Sequence, residues 1–329
     1  PFLKGLKPKA ESHIADQGDG NHFAFLGKIE ISDAFIKALK DNGYSDLADS
    51  LTERNEWSVL VTHHGSRSLG ATLYTRGLDA AIKQTRQFAQ GIPDEAAWLS
   101  MDTKQGVDYW NALQYVSRWT KANHECIHRN FLKSIDSTLA ADIGNEHNFV
   151  WKRGDQFLHG KGATPAWKND AGFPLLGLIP LNMAEPILLT LGSDKSQYLS
   201  FSPHGAGRNK SRRAVLNRYT KSKKIGFDQK LLDQDLAKAT EGLEVRWYQG
   251  RSDITETPIG YKPAATVRQQ IESHGLAQVI AEIKPLGSIM SGRAETLETP
   301  LTPKQLRQQE HRKTRRKMKA KDWQEDDTY

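Results

Sequence analysis

The sequence has a single cysteine, Cys126, and no long hydrophobic run. One cysteine excludes an internal disulfide, and a membrane-spanning helix needs about 20 apolar residues. The longest apolar stretch, residues 173–181, is interrupted by two prolines and a glycine. No segment has the hydrophobic pattern of a signal peptide. These absences argue against a disulfide-stabilised secreted protein and a helical membrane protein, and they predict a cytoplasmic protein with no membrane partner.

Compositional bias is confined to the C-terminal end, and no internal repeat is visible. A hydrophobic content of 37% in 329 residues is sufficient for a large buried core, so we predict a single domain over residues 1–302. Residues 304–321 contain nine Lys and Arg against one Glu, an excess larger than the whole chain's net charge of +7. Residues 303–329 are predicted to form a basic tail, helical or disordered. Both RNA contact and a solvated charged surface are open interpretations of it.

The pattern of apolar residues predicts a mixed α/β (α+β) chain, with mixed β-sheets flanked by helices. Helices are predicted at 107–135, 209–219, 228–239 and 265–273, strands at 57–62, 175–181, 187–191, 197–202 and 276–283, and a hairpin at 147–151 and 156–159. The long first helix carries His124, Cys126 and His128. We interpret these three residues as structural, because a His-x-Cys-x-His pattern is expected to alternate between helix faces.

Four distant segments each place histidine among glycine, asparagine or arginine. They are residues 18–23 (Gly-Asp-Gly-Asn-His-Phe), 62–67 (Thr-His-His-Gly-Ser-Arg), 146–150 (Glu-His-Asn-Phe-Val) and 203–208 (Pro-His-Gly-Ala-Gly-Arg). Imidazole binds first-row transition metals and is a nucleophile when neutral, while glycine-flanked backbone and arginine suit phosphate oxygens. The four segments therefore predict a metal and phosphate site used in nucleotide chemistry.

His204 is the candidate nucleophile of this site. It follows the strand predicted at 197–202, and the helix predicted at 209–219 places residues 205–207 near a helix N-terminus, where backbone N–H groups favour anions. A neutral imidazole in a basic, glycine-lined turn can reach a phosphorus atom. The alternative is a histidine that only hydrogen-bonds the turn.

These motifs resemble, in order and in context, those of the RtcB-type RNA ligase family. The matching segments are Gly20-Asn21-His22-Phe23, His63-x-Gly65-Ser66-Arg67-x-Leu69-Gly70, His147-Asn148, Lys161-Gly162-Ala163 and His204-Gly205-Ala206-Gly207-Arg208-x-x-Ser211-Arg212. The resemblance extends from about residue 17 to residue 292 and includes a late Pro258-x-x-Tyr261-Lys262 segment. It implies an RtcB-like ligase domain over residues 1–302.

The resemblance implies an enzyme that requires GTP and Mn²⁺, with two manganese ions expected. Such a ligase joins RNA 3′-phosphate or 2′,3′-cyclic phosphate ends to 5′-hydroxyl ends, in RNA repair or tRNA splicing. The histidine matching His204 becomes guanylylated in that family, and the guanylate then passes to the RNA 3′-phosphate. An archease-like activator is a candidate protein partner.

The resemblance also implies roles for individual residues. The implied metal ligands are His22, His63 and His147. The implied nucleotide contacts are Asn21, Asn182, Glu185, His204, Gly205, Ala206, Gly207 and Tyr261. The implied contacts to RNA phosphates are Arg67, Lys161, Arg208 and Arg212. The family's N-terminal segment, which supplies an aspartate and a cysteine, has no match before Gln17, so we expect that an N-terminal portion is missing from this sequence.

Three departures from the family pattern concern the guanine pocket. Phe25 stands where many members carry glutamate, residues 180–185 replace a Pro-Gly-Ser-Met-Gly loop, and Ser291 replaces a lysine. Two further functions therefore remain open: a metal-dependent nucleotidyltransferase with changed nucleotide specificity, and a non-catalytic protein that binds RNA ends. All four motif histidines are present, which favours an enzyme because a binding protein needs none of them.

Overall fold

A computed structural model describes residues 1–18, 21–222 and 226–294, and the predicted tail at 303–329 lies outside these ranges. The helices are α1 (Lys7–Ser12), α2 (Asp33–Asp41), α3 (Ser45–Leu51), α4 (Arg67–Phe88), α5 (Lys104–Ser134), α6 (Arg212–Asn217), α7 (Gln229–Ala239) and α8 (Ala264–Ser273). The strands are β1 (Phe23–Glu30), β2 (Glu56–His63), β3 (Val150–Arg153), β4 (Gln156–His159), β5 (Ala163–Pro165), β6 (Leu176–Pro180), β7 (Ile187–Gly192), β8 (Phe201–Pro203), β9 (Thr220–Ser222), β10 (Gly226–Phe227), β11 (Glu244–Trp247), β12 (Gly250–Arg251), β13 (Ala277–Met290) and β14 (Arg293–Ala294). In the described part of the chain, no helix combines the length and apolar character needed to cross a membrane.

A six-stranded sheet is the centre of the fold. Its strand order is β2-β1-β13-β7-β6, and β11 adds to one end of the long strand β13. The pairs along the main path are antiparallel, whereas β11 runs parallel to β13. Because helices pack around a sheet that contains both kinds of pairing, the predicted mixed α/β class is confirmed.

One face of the sheet forms a core with helix α2. Phe35 and Leu39 of α2 are at most 1% exposed and pack with Phe25, Ile187 and other apolar side chains of the sheet. The helix begins after Ser32, whose hydroxyl accepts a hydrogen bond from a backbone N–H of the first turn. Burying each large apolar side chain contributes about 1.5–3 kcal/mol. Phe25, which departs from the family's glutamate, is therefore a core residue.

The structure confirms the predicted helices at α5, α7 and α8, the strands at β2, β6 and β7, and the β3–β4 hairpin. The strand predicted at 197–202 is wrong over most of its length. Residues 196–198 form a 3₁₀ turn, and Leu199 and Ser200 have φ values of 51° and 56°. This left-handed backbone is incompatible with an extended strand, so β8 starts only at Phe201.

The helix predicted to begin near residue 209 starts later, at α6. The backbone N–H groups of Asn209 and Lys210 donate to the carbonyl of Gly260, at 2.9 and 3.2 Å. These bonds attach the loop to a distant turn, and Ser211 then caps the helix. Residues 205–207 consequently lie five or more residues before α6, so the predicted anion site at a helix N-terminus is wrong.

Candidate functional site

Pairing of β1 with β2 brings the first two histidine motifs together. Phe23 lies opposite His63 in the antiparallel register, and their rings stack at a centroid distance of 5.1 Å. The side-chain amide of Gln17 donates to the carbonyls of both residues, at 2.6 and 3.0 Å. His22, just before β1, therefore lies beside His63, with ring centroids 6.0 Å apart.

Strand β5 holds the other two motifs in place. The backbone of Asn148 is left-handed, with a φ of 56°, and its side-chain oxygen accepts a hydrogen bond from the N–H of Gly162. The carbonyl of Gly162 in turn accepts from the N–H of His204 at 3.3 Å. Because β5 also pairs with β8, the loops carrying His147 and His204 are fixed to the same short strand.

The four motif histidines form a continuous row: His22, His63, His147 and His204, called here the histidine row. The ring of His147 stacks between its neighbours, with centroids 5.0 Å from His63 on one side and 5.0 Å from His204 on the other. The structure thus brings together every histidine that the motifs singled out.

Burial favours the neutral form of three imidazoles of the row, those of His63, His147 and His204. Burial lowers the pKa of His63 to about 3, with a further contribution from His147, His22 and His204. Burial also lowers the pKa of His147 to about 4 and lowers the pKa of His204, and the Lys161 ammonium adds to both effects. A neutral imidazole has a free lone pair near pH 7, as both a nucleophile and a metal ligand require.

The donor chemistry of the row fits a transition metal. The Nε2 atoms of His63 and His147 lie 3.1 Å apart, and a metal–nitrogen distance of about 2.1 Å allows two such atoms to bind one ion. Within residues 1–18, 21–222 and 226–294, no group of three or more His, Cys, Asp or Glu side chains is arranged to hold a metal ion. The three predicted ligands are neighbours in a line and do not surround a common point.

Arg67 and Asp16 form an ion pair behind His22. The guanidinium is 3.1 Å from the Asp16 carboxylate, and its Nη1 is 3.4 Å from the Nδ1 of His22. Burial of Asp16 acts to raise its pKa, but hydrogen bonding from His13 and the charge of Arg67 hold the pKa below its usual value. Gly18 permits this approach, because a Cβ there would lie 1.9 Å from the Arg67 guanidinium. The sequence motifs did not identify Asp16.

Arg208 and Arg212 converge on Glu256, a carboxylate whose side chain is 3% exposed. The Arg212 guanidinium donates to it at 2.8 Å, Arg208 lies 3.7 Å away, and the Tyr261 hydroxyl donates at 2.9 Å. Burial, together with the charge of Glu256, raises the pKa of Tyr261 to about 12. The Arg212 side chain remains 52% exposed, whereas the terminal nitrogens of Arg208 are buried.

Most of the predicted nucleotide residues fall in two adjoining loops. Gly205 approaches the loop at 180–185 so closely that a Cβ would lie 2.8 Å from the Pro180 carbonyl oxygen. Ala206 is buried in the same apolar cluster as Leu181. The loop is shaped by Asn182, whose side-chain oxygen accepts from the N–H of Ala184 at 2.9 Å. Glu185 is partly exposed at the end of this loop, and Asn21 is exposed next to His22.

A second histidine group lies on the other side of β2. The Thr62 hydroxyl is 2.7 Å from Nδ1 of His124 and 2.8 Å from Nε2 of His128, and the His64 ring stacks on His124. His124 and His128 both reach Thr62 from α5, because residues four apart share a helix face. Since a hydroxyl donates only one proton, at least one imidazole must donate to it. The group fastens the end of β2 to α5.

We expect this group to make folding sensitive to acid. Burial, together with the neighbouring His64 and His128, lowers the pKa of His124 to about 3. Below pH 6.5 the unfolded chain therefore binds a proton at His124 that the folded chain does not. The contribution of neutral His124 to stability is present above pH 6.5 and is lost as pH falls towards 3. The free energy of unfolding, measured by urea denaturation, should fall between pH 7 and pH 5 in both proteins. The decrease should be about 1–2 kcal/mol smaller in His124→Gln than in the wild type. Equal losses in both proteins would contradict this assignment, and His159→Gln, which replaces an exposed histidine, is the control.

This fold and site define a mixed α/β protein whose centre is a row of four histidines flanked by basic side chains. A family model described as tRNA-splicing ligase RtcB matches residues 3–291. The chain therefore belongs to the RtcB family, and the resemblance carried by its motifs is confirmed.

The relatives of this chain are distant. It is 25% identical to tRNA-splicing ligase RtcB of Thermococcus kodakarensis, in an alignment covering 87% of this chain and 63% of that protein. The RtcB of Pyrococcus horikoshii is also 25% identical, over 87% of this chain and 35% of the relative. RNA-splicing ligase RtcB1 of Escherichia coli is 26% identical, over 79% and 57%. The chain thus spans less than two thirds of the length of these curated relatives.

Proposed function

We propose that this chain carries the catalytic site of an RNA ligase that seals 3′-phosphate or 2′,3′-cyclic phosphate ends to 5′-hydroxyl ends. The observation that carries the proposal is the histidine row, which ends at His204 in a loop fixed by β5 and β8. Family membership and the lowered pKa of His204 support the same chemistry. RNA repair or tRNA splicing in the cytoplasm is the corresponding cellular role.

His204 is the nucleophile of the proposed reaction. A neutral ring nitrogen attacks the α-phosphorus of GTP, a nitrogen–phosphorus bond forms, and pyrophosphate leaves. An oxygen of the RNA 3′-phosphate then displaces the imidazole, so that the guanylate passes to the RNA. The 5′-hydroxyl of the second strand finally attacks the RNA phosphate, and GMP leaves as the new phosphodiester forms.

The other residues have supporting roles in this proposal. His22, His63 and His147 are the side chains that would hold Mn²⁺, which when bound neutralises phosphate charge near the nucleophile. Nucleotide contacts are proposed for Asn21, Asn182, Glu185, Gly205, Ala206, Gly207 and Tyr261. RNA phosphate contacts are proposed for Arg67, Lys161, Arg208 and Arg212. Among these cations Lys161 and Arg212 are the exposed ones, so direct approach of RNA is most open at these two. An archease-like protein is the proposed activator.

The first step is tested by incubating the protein with Mn²⁺ and α-labelled GTP or, in parallel, α-labelled ATP. We expect acid-labile label from GTP, because a phosphorus–nitrogen bond to imidazole hydrolyses in acid. Adding RNA with a 3′-phosphate and RNA with a 5′-hydroxyl should discharge the label and yield a joined strand. Label that forms but yields no joined strand would contradict the ligase.

A second function is favoured by two departures from the family's sequence. Phe25 is 2% exposed within the sheet core, where a carboxylate cannot reach a nucleotide, and the loop at 180–185 differs from the family's sequence. Both departures concern recognition of the base, so a nucleotidyltransferase with another nucleotide is the alternative. It predicts label from ATP in preference to GTP. Absence of label with either nucleotide, together with salt-sensitive RNA binding, would instead indicate a non-catalytic protein that binds RNA ends.

A further inference from the structure

An open pocket with a volume of about 630 Å³ lies between α5 and the β3–β4 hairpin. Its aromatic lining consists of Trp110, Trp151, Trp167 and Phe149. Of these four, only Phe149 lies in a histidine segment, residues 146–150. The volume is within the range of about 300–1,000 Å³ found for pockets that bind small molecules or cofactors.

The tryptophans are positioned as the walls and floor of this pocket. Trp167 is 8% exposed and forms the floor, with the Arg153 guanidinium 4.8 Å from its ring centroid. Trp151 packs nearly perpendicular to it, at an interplanar angle of 80°. Trp110 is braced by an edge contact with Phe157 and is only partly buried. Indole rings held rigidly at a solvent-accessible wall suit stacking with a planar ligand.

The charged side chains around the pocket suit a planar ligand that carries phosphate. Lys152 and Lys168 line it and are exposed, and Arg153 is also part of the wall. Ammonium groups beside aromatic faces are the combination by which proteins bind single-stranded nucleic acid, where bases stack and phosphates pair with cations. Glu146 and Asp170, also in the lining, leave an excess of one positive charge.

The pocket adjoins the histidine row along the chain. Phe149 lies two residues after His147, so at most about 7 Å of backbone separates the lining from the row. Gly160, two residues before the Gly162 that binds His204, packs against Trp151. A Cβ at Gly160 would lie 3.0 Å from the indole. An RNA strand whose end reaches His204 is therefore within about one or two nucleotides of these aromatic walls.

We propose that this pocket binds a nucleobase of the RNA strand, within two nucleotides of the reacting end. The base stacks on Trp110 and Trp151, and Lys152 and Lys168 contact the flanking phosphates. This proposal rests on the proposed function for the identity of the RNA end. The pocket therefore sets the position of the strand at the histidine row by holding a base of any sequence.

The test measures binding and needs no catalysis. Oligoribonucleotides with a 3′-phosphate or a 5′-hydroxyl end, each with one abasic position, are titrated by fluorescence anisotropy at fixed salt. For the wild type we expect one abasic position near the end of one strand to weaken binding about tenfold, as loss of one stacked base implies. Trp110→Ala should bind intact RNA about tenfold more weakly and no longer distinguish the abasic RNA. The strand that shows the effect identifies which end occupies the pocket.

Two further variants keep this test decisive. Trp110→Phe retains an aromatic face and should recover most of the affinity, whereas a purely structural role of the indole predicts no such recovery. Trp98→Ala removes a 46% exposed tryptophan outside the pocket and should bind like the wild type. If Trp110→Ala lost as much affinity as the wild type at the same abasic position, the proposal would be overturned. Covalent labelling with nucleotide alone is measured separately, so loss of the pocket and loss of the ligase function are distinguishable.

Discussion

We expect the His204→Ala variant to form no covalent nucleotide adduct and to join no RNA. The imidazole is the proposed attacking group, and removing a catalytic nucleophile costs at least about a thousandfold in rate. The substitution leaves the rest of the loop in place, because the backbone N–H of His204 makes the bond to Gly162. The measurement is acid-labile label per protein after incubation with Mn²⁺ and α-labelled GTP, followed by gel analysis of RNA sealing.

The matched control is His159→Ala, which removes an exposed histidine of β4 outside the histidine row. It should label and seal like the wild type. Lys161 is a second candidate nitrogen nucleophile, since its charge acts on both His147 and His204. Label that persists in His204→Ala but disappears in Lys161→Gln would assign the nucleophile to the lysine instead. Unchanged labelling in both variants would exclude both residues as the nucleophile.

The motifs predicted which histidines meet, and the pairing of strands explains why. His22 directly precedes β1 and His63 ends β2, so the antiparallel register places both at the same end of this strand pair. The sequence alone predicted β2 but not β1. It therefore indicated which histidines belong to one site, but not how their rings are arranged. The stacking order of the row depends on loops held by Asn148 and Gly162, whose hydrogen bonds have no periodic signal in the sequence.

Contacts between side chains that are far apart in the sequence were not predicted. Carboxylates are almost never fully buried, so Glu256 in a polar segment had no visible reason to pair with Arg208 and Arg212. Asp16 lies 51 residues from Arg67, and nothing local signals that contact. For Thr62 a signal existed, because the four-residue spacing of His124 and His128 already places both on one helix face.

Helix α4 was missed for a different reason. After Leu69 and Leu73, the buried positions of this 22-residue helix are small or polar: Gly77, Ala80, Ala81, Gln84 and Thr85. Hydrophobic periodicity is weak when the buried positions are small, so the pattern resembles a polar surface segment. Gly77 is buried because Tyr109 of α5 packs against it, and a Cβ there would lie 2.3 Å from that ring. Such close helix packing is a tertiary property.

Replacing Glu256 with glutamine should destabilise the fold by about 3 kcal/mol, the second large effect that we expect. The carboxylate is almost fully buried and balances Arg208, whose terminal nitrogens are also buried. Removing one partner of a buried pair leaves an uncompensated charge, which costs about 3–5 kcal/mol. The cation–π contact of Arg208 with Tyr261, at 5.0 Å, offsets part of that cost. The free energy of unfolding is measured by urea denaturation, and its slope against urea concentration, the m value, should be unchanged.

Two companion variants separate this charge effect from ordinary loss of packing. Arg212→Gln removes a cation that is 52% exposed, so it should cost less than about 1 kcal/mol. Arg208→Met introduced together with Glu256→Gln removes both buried charges, and the double variant should recover at least half of the lost stability, because well-packed apolar side chains often replace a buried pair without cost. A Glu256→Gln variant as stable as the wild type would show that the pair does not stabilise the fold. If the double variant were simply the sum of the two single losses, the charges would act independently.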